Sequence, residues 1–450
     1  MTGLLEPELA AWIEAKAGRK LRAVTELTGG ASRSSFILEH EDGSKTFLRQ
    51  DAGHGPLSGT PFTLEREFLA LSSIGDDAGV PVARPYAYSD RHNAMLMPFV
   101  AGHTTYQQRG SEAEEAGLRR QLMQCVVALQ RVAVGDKPFL QGGPSVSLGD
   151  AVRADLTIWR DLYRSRVSPR EPLVEFAFSR LIRQVPDATA APVLVHGDVG
   201  PGNFLVQDGR IAALIDWEMV RAGHPLEDLA CIIARGQGAP FGAPGEHIAN
   251  YADLSGRKVD LAALDWALAT VLTRWLVGIS MGLTRPTPRQ NVPMLFLFRL
   301  LNGQALAETL CRLEGIPMTE GPFALAERAA PALVFAYSQA TLADIAGQDR
   351  LPAADAYRLR GIGDLLAYLQ SFIAYGPESY EAEEARRIGT LLGRPVSDGT
   401  AARAALCERV GGTDPGEERA ILEHLRWQWC REAAIMRTAL GERADNLIRI

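Results

Sequence analysis

The stretch VLVHGDVGPGNFLVQDGRIAALIDWE, residues 193–218, decides how this chain is read. It sets His196, Asp198, Asn203 and Asp216 on short, turn-rich structure with no helix-length segment. PVLVHGD (192–198) reads as a buried strand that runs into a turn. Gly200, Pro201 and Gly202 keep the following residues out of a regular helix. FLVQDGRIAALID (204–216) reads as a hairpin that turns at Asp208-Gly209, its second strand delivering Asp216. The hairpin folds the chain back, which predicts that Asp216 returns to the neighbourhood of Asp198 and Asn203. Two carboxylates and an amide oxygen on strand-held loops are a hard oxygen set. Mg²⁺ favours such ligands and completes its sphere with water and phosphate oxygens.

Upstream, LRAVTEL, SSFILEH and KTFLRQ (within 21–50) read as strands, separated by the Gly29-Gly30 turn and by EDGS. TLEREFLALSSI (63–74) carries an apolar stripe at helical spacing, and NAMLMPFV (93–100) reads as a short apolar strand. The first hundred residues therefore predict a small sheet with a helix. From about residue 110 the pattern turns helical and, after the opening stretch, stays so to the end.

A family resemblance now follows from these residues. His196-Gly197-Asp198, four residues, Asn203, and then IDWE with its Asp thirteen residues on resemble the aminoglycoside phosphotransferase and choline kinase superfamily. GHPLEDLA (223–230) resembles that family's Gly-Asp-Pro-x-x-Asp-Leu-Ala run, with His224 in place of its first Asp. The resemblance covers roughly residues 20–345. It implies an α+β, protein-kinase-like two-lobe fold. Residues 1–101 would be a nucleotide-binding lobe with a small antiparallel sheet and one helix, preceded by an N-terminal helix. Residues 102–345 would be a helical lobe with the catalytic loop and acceptor site, and 346–450 a helical extension.

Carried over residue by residue, the resemblance makes Asp198 the catalytic carboxylate and Asn203 and Asp216 the ligands of Mg²⁺ against ATP, or GTP. His196 would bond the loop backbone and Asp228 would brace the loop from the following helix. Positioning and charge neutralisation carry most of phosphoryl transfer, so this division of labour suffices for catalysis. Gly29, Gly30 and Ser32, in TGGASRSS (28–35), suit a loop over the phosphates, and the absence of GxxxxGK[ST] excludes a Walker loop. Arg49 stands where protein kinases have Lys, with Glu67 as its helical partner; its planar fork grips a phosphate differently from an ammonium. Met97, Pro98 and Val100 fall at the hinge beside the adenine. Pro98 lacks an N–H but keeps its carbonyl, and Val100 would supply the N–H.

The chain has 450 residues, 46% hydrophobic and 22% charged, with net charge −7 and no Lys/Arg run, which argues against a nucleic-acid-binding face. Its five cysteines are widely spaced without CxxC, as expected of free thiols in a cytoplasmic protein. The N-terminus reads as a short amphipathic helix, not a signal peptide. WALATVLTRWLVGISMG (266–282) is interrupted by Arg274 and reads as a buried helix, not a membrane span.

The acceptor implied is a small hydroxylated metabolite. FLR and IDWE are most similar to phosphotransferase domains associated with acyl-CoA dehydrogenases, which brings a hydroxyacyl thioester into view. Two other readings compete. A non-catalytic nucleotide-binding protein of the same fold would be expected to lack one of Asp198, Asn203 and Asp216, and all three are present. A metallohydrolase with His196 and Asp198 as ligands would need further His or Asp clusters downstream.

Overall fold

The computed structural model describes residues 4–440, apart from 28–32, 52, 54–56, 58, 75–78, 105–109, 136, 138, 141–146, 285–291, 318–331, 349–350, 376 and 412–414. Gly29, Gly30 and Ser32 of the expected phosphate loop lie outside the described residues. Packing groups the chain into two compact units, residues 1–152 with 187–260 and residues 153–186 with 261–450. This grouping differs from a division at 101 and 345.

The first unit opens with α1 (Pro7–Ala17), stopped by Gly18 at φ +67°. Then come β1 (Leu21–Leu27), β2 (Ser34–His40), β3 (Lys45–Gln50), α2 (Leu64–Ser73), β4 (Ala87–Ser89) and β5 (Ala94–Pro98). The strands form one antiparallel sheet in the order β1-β2-β3-β5-β4. Leu9 and Ile13 of α1, one turn apart, bury against Val24, Phe36, Leu38, Leu48 and Leu96 on the sheet. Each such side chain contributes about 1.5–3 kcal/mol on burial. Thr63 caps α2 by accepting the Arg66 backbone N–H, and the stripe Leu64, Glu67, Ala70 and Leu71 turns inward. Glu67, a carboxylate on an otherwise apolar stripe, is explained by its arginine partners below.

Next come α3 (Glu112–Gln130), entered through a Ser111/Glu114 capping box, and α4 (Leu148–Arg166), whose first turn belongs to this unit. The chain continues, after α5 (Pro172–Arg183), with β6 (Val193–Val195), β7 (Phe204–Gln207), β8 (Arg210–Leu214), a 3-10 turn at Trp217–Met219, β9 (Arg221–Gly223), α6 (Glu227–Arg235) and α7 (Pro244–Ser255). β7 and β8 form the expected hairpin, with Asp208 (φ +50°) and Gly209 (φ +70°) at its turn.

The second unit is helical: most of α4, α5, α8 (Leu261–Thr284), α9 (Val292–Leu313), α10 (Ala332–Ala346), α11 (Ala353–Tyr375), α12 (Pro377–Leu391), α13 (Gly399–Val410) and α14 (Pro415–Leu440). α8 is the one described helix long and apolar enough to cross a membrane, and 72% of its apolar window is buried within the protein. Its Arg274 donates to Asp155 at 2.8 Å. α9 and α14 approach so closely that a Cβ at Gly303 would stand 2.0 Å from the Trp429 ring. A small antiparallel sheet together with a mainly helical remainder is the mixed α+β composition that the family resemblance implies.

Candidate active site

The loop between β6 and β7 is held from three sides. Asp228, in the first turn of α6, accepts the backbone N–H groups of His196 and Gly197, each at 2.9 Å. His196 Nε2 lies 3.1 Å from the Ile215 carbonyl, and its Nδ1 lies 3.3 Å from the Asp198 backbone N–H. A carbonyl needs a donor and an N–H needs an acceptor, so the neutral ring with its proton on Nε2 satisfies both. Burial lowers the His196 pKa to about 4, which keeps it in that form. The ring also packs on Trp217, with centroids 4.4 Å apart. Gly197 has φ +84°, and a Cβ there would stand 2.5 Å from the Met219 carbonyl oxygen, so only glycine fits.

Asn203 closes the loop on itself. Its Nδ2 donates to the Asp198 carbonyl and to Asp198 Oδ2, both at 2.7 Å. This fixes the orientation of the amide through its Nδ2. The Ile215 N–H donates to the Asn203 carbonyl at 3.0 Å, which brings Asp216 back beside the loop as the hairpin predicts. Asp216 takes φ +67°, a left-handed conformation that Asp tolerates better than most residues. Burial works to raise its pKa, but Arg49 outweighs it and holds the carboxyl below its ordinary value. Burial raises the Asp198 pKa, opposed by Arg235.

Arg49 and Glu67, predicted as a pair, meet at 2.6 Å, and the other arm of Arg49 reaches Asp216 Oδ1 at 3.0 Å. Arg49 thus ties β3, α2 and the end of the hairpin together. Met97 is buried and pairs with Phe47, while Pro98 pairs with Thr46 at the end of β5. Val100 follows half-buried. Just beyond, His103 exchanges backbone hydrogen bonds with Val206 at 3.0 and 2.8 Å, which joins the hinge segment to β7.

Sequence reasoning missed two residues, Arg33 and Arg235, and left a third, Glu218, undecided. Arg33 is buried and pairs with Glu67, donates to the Phe62 carbonyl at 2.8 Å, and stands 3.6 Å from Glu218. Its place right after the glycine loop was the available signal. Glu218, which the sequence leaves open between a substrate contact and a structural ion pair, is largely buried. Burial and then Asp216 push its pKa up to about 8. Arg235 ion-pairs with Asp198 Oδ2 and donates to the Pro201 carbonyl at 3.0 Å. It could have been found from Asp228, Cys231 and Arg235, which lie on one helical face at spacings of three and four.

The donor set fits Mg²⁺. Asn203 Oδ1 and an ionised Asp216 are hard oxygens, and Asp216 keeps 36% of its side chain exposed. Among the described residues no three His, Cys, Asp or Glu cluster as a metal site. A two-ligand set of this kind relies on phosphate and water oxygens for the rest of the sphere.

Residues 23–265 match the family described as "Phosphotransferase enzyme family". The chain is 26% identical over 222 residues to acyl-CoA dehydrogenase family member 11 of Rattus norvegicus, covering 47% of this chain and 28% of that protein. The Gallus gallus protein of the same name is 25% identical over 292 residues, 58% of this chain and 36% of that one. The chain thus spans about a third of these relatives. A solved structure from Ralstonia eutropha JMP134, assigned as an aminoglycoside phosphotransferase, superposes with TM-score 0.50 at 20% identity, covering 68% of this chain and 96% of that one.

Proposed function

This chain belongs to the phosphotransferase enzyme family, and we propose that it transfers the γ-phosphate of ATP to a hydroxyl of a small molecule with Mg²⁺ as cofactor. The observation that carries the reading is the convergence of Asp198, Asn203 and Asp216, with Arg49 bridging Glu67 to Asp216. In this reading residues 1–101 bind the nucleotide, residues 102–345 carry the catalytic loop and acceptor site, and 346–450 are an extension. The protein works in the cytoplasm.

Asp198 receives the proton of the acceptor hydroxyl as its oxygen attacks the γ-phosphorus. Asn203 Oδ1 and Asp216 would hold Mg²⁺, which when bound neutralises charge on the phosphates. Arg49, kept charged by Glu67 and Asp216, offers its fork to the phosphates. The adenine sits against Met97, with the Pro98 carbonyl and Val100 N–H as its hydrogen-bonding pair. His196 keeps the loop in shape without exchanging protons.

The acceptor is a hydroxylated metabolite. The relatives named for acyl-CoA dehydrogenases make a hydroxyacyl thioester the first to try. The test is a screen of purified protein with γ-labelled ATP or GTP against hydroxyacyl thioesters, sugar alcohols and aminoglycosides. Label appearing on one acceptor class, and only with Mg²⁺, supports the reading. No transfer to any of them, together with no binding of Mg-ATP, sinks it. Mg-ATP binding without transfer to any acceptor or to water would instead favour a nucleotide-binding regulator.

A further inference from the structure

Arg235 stands where nothing in the motif accounts for it. It is the last residue of α6, and its side chain is 17% exposed. One arm ion-pairs with Asp198 Oδ2 and the other donates to the Pro201 carbonyl at 3.0 Å. It therefore grips the loop at both its carboxylate and its backbone. The loop is shaped around it: a Cβ on Gly200 (φ +148°) would stand 2.6 Å from Arg235 Cδ.

The two oxygens of Asp198 are not equivalent as a result. Oδ2 accepts from Asn203 Nδ2 at 2.7 Å and from Arg235, so both of its lone pairs are engaged. Oδ1 meets, among the described residues, the Cys231 thiol at 4.0 Å, too long for a strong bond. Burial holds that thiol far above its ordinary pKa, so it is an S–H and not a competing thiolate.

We propose that Arg235 is a positioning residue that locks Asp198 with Oδ2 turned into the loop and Oδ1 presented to the acceptor hydroxyl. The inference rests on the phosphotransferase reading above. In the step it serves, the acceptor O–H gives its proton to Oδ1 and its oxygen forms a bond to the γ-phosphorus. The bond from that phosphorus to the β-phosphate oxygen breaks, and its electron pair leaves with ADP. A carboxylate free to rotate would offer Oδ1 in the right place for only part of the time, which lowers kcat and leaves nucleotide binding intact.

The experiment measures release of γ-phosphate from Mg-ATP to water, or to pooled hydroxyacyl thioesters, sugar alcohols and aminoglycosides. It compares wild type, Arg235→Ala, Arg235→Lys, Asp198→Asn and the double variant Asp198→Asn/Arg235→Ala. Arg235→Ala is expected to lose about 10–10²-fold in kcat with KM for Mg-ATP within about twofold. Arg235→Lys, which restores the charge without the fork, is expected to fall between. Added guanidinium ion is expected to recover part of the Arg235→Ala loss, and Arg235→Ala is expected to cost nothing further in the Asp198→Asn background. Should Arg235→Ala melt out, Gly200→Ala displaces the same side chain and is expected to show the same kcat-specific loss.

Full turnover in Arg235→Ala overturns the proposal, as does an equal loss in the presence and absence of Asp198. A loss confined to KM for Mg-ATP overturns it too. Wild type that neither binds nor turns over Mg-ATP overturns the phosphotransferase reading instead.

Discussion

At the residue scale, His196 shows how a polar side chain can be essential to a site without doing its chemistry. Its ring is buried, neutral and bonded at both nitrogens, with its pKa lowered to about 4. An unfolded His titrates near 6.5. Between these values the unfolded chain binds a proton that the folded protein refuses, so this stability is full above about pH 6.5 and is lost as pH falls toward 4. The loss amounts to roughly 3 kcal/mol. Asp228 works the other way. Burial raises its pKa to about 6, so its share of the stability falls as pH rises from about 4 through 6. The two nearly cancel in the wild type. The His196 effect is therefore read as the difference in unfolding free energy between wild type and His196→Asn, measured by denaturant melts from pH 7.5 to 4.5. The advantage of the wild type is expected to shrink steadily below pH 6.5. A difference that stays flat over that range would mean that the ring takes up its proton in the fold as readily as in the unfolded chain.

At the element scale, α6 braces the loop from both its ends, through Asp228 in its first turn and Arg235 in its last. Asp228 takes two buried N–H groups, and truncating it leaves both unsatisfied. Asp228→Ala is expected to cost about 3 kcal/mol or more in chemical denaturation at neutral pH, against about 1 kcal/mol for Ser111→Ala, which removes only a helix cap. Equal losses from the two would show that the loop does not depend on Asp228. The strands β1, β2, β3, β5 and the β7–β8 hairpin were legible because apolar alternation and Asp-Gly turns mark them locally. β4 and β9 have three residues each and exist only because they pair with β5 and β6, so no local pattern announces them. The pairing of Arg49 with Glu67 was legible from order around the glycine loop. Its second bond to Asp216, 167 residues away, depends on how the hairpin returns. Arg33 and Arg235 escaped, and Glu218 stayed undecided, for the same reason: a charged residue becomes part of a site through burial, and burial is a tertiary fact.

At the scale of the whole molecule, the sequence nominates residues for handling a nucleotide and leaves the acceptor unnamed, because an apolar helix stripe records packing and not ligand chemistry. α8 illustrates this: its hydrophobic run is core, with Arg274 paired to Asp155. Ligand linkage tests the whole fold at once. Mg-ATP at about 100 times its Kd should stabilise the protein by about 2.7 kcal/mol and raise Tm. Asp216→Ala should lose most of that shift while keeping the Tm of the unliganded protein within a few degrees. An undiminished shift in Asp216→Ala would remove Asp216 from the metal site.

The most direct test of the central claim compares Asp198→Asn with wild type on an acceptor that accepts label from γ-labelled ATP. With Asp198 as the proton acceptor, turnover is expected to fall about 10²–10⁴-fold while the Kd for Mg-ATP stays nearly unchanged. Asp198→Asn with wild-type turnover on that acceptor would contradict it.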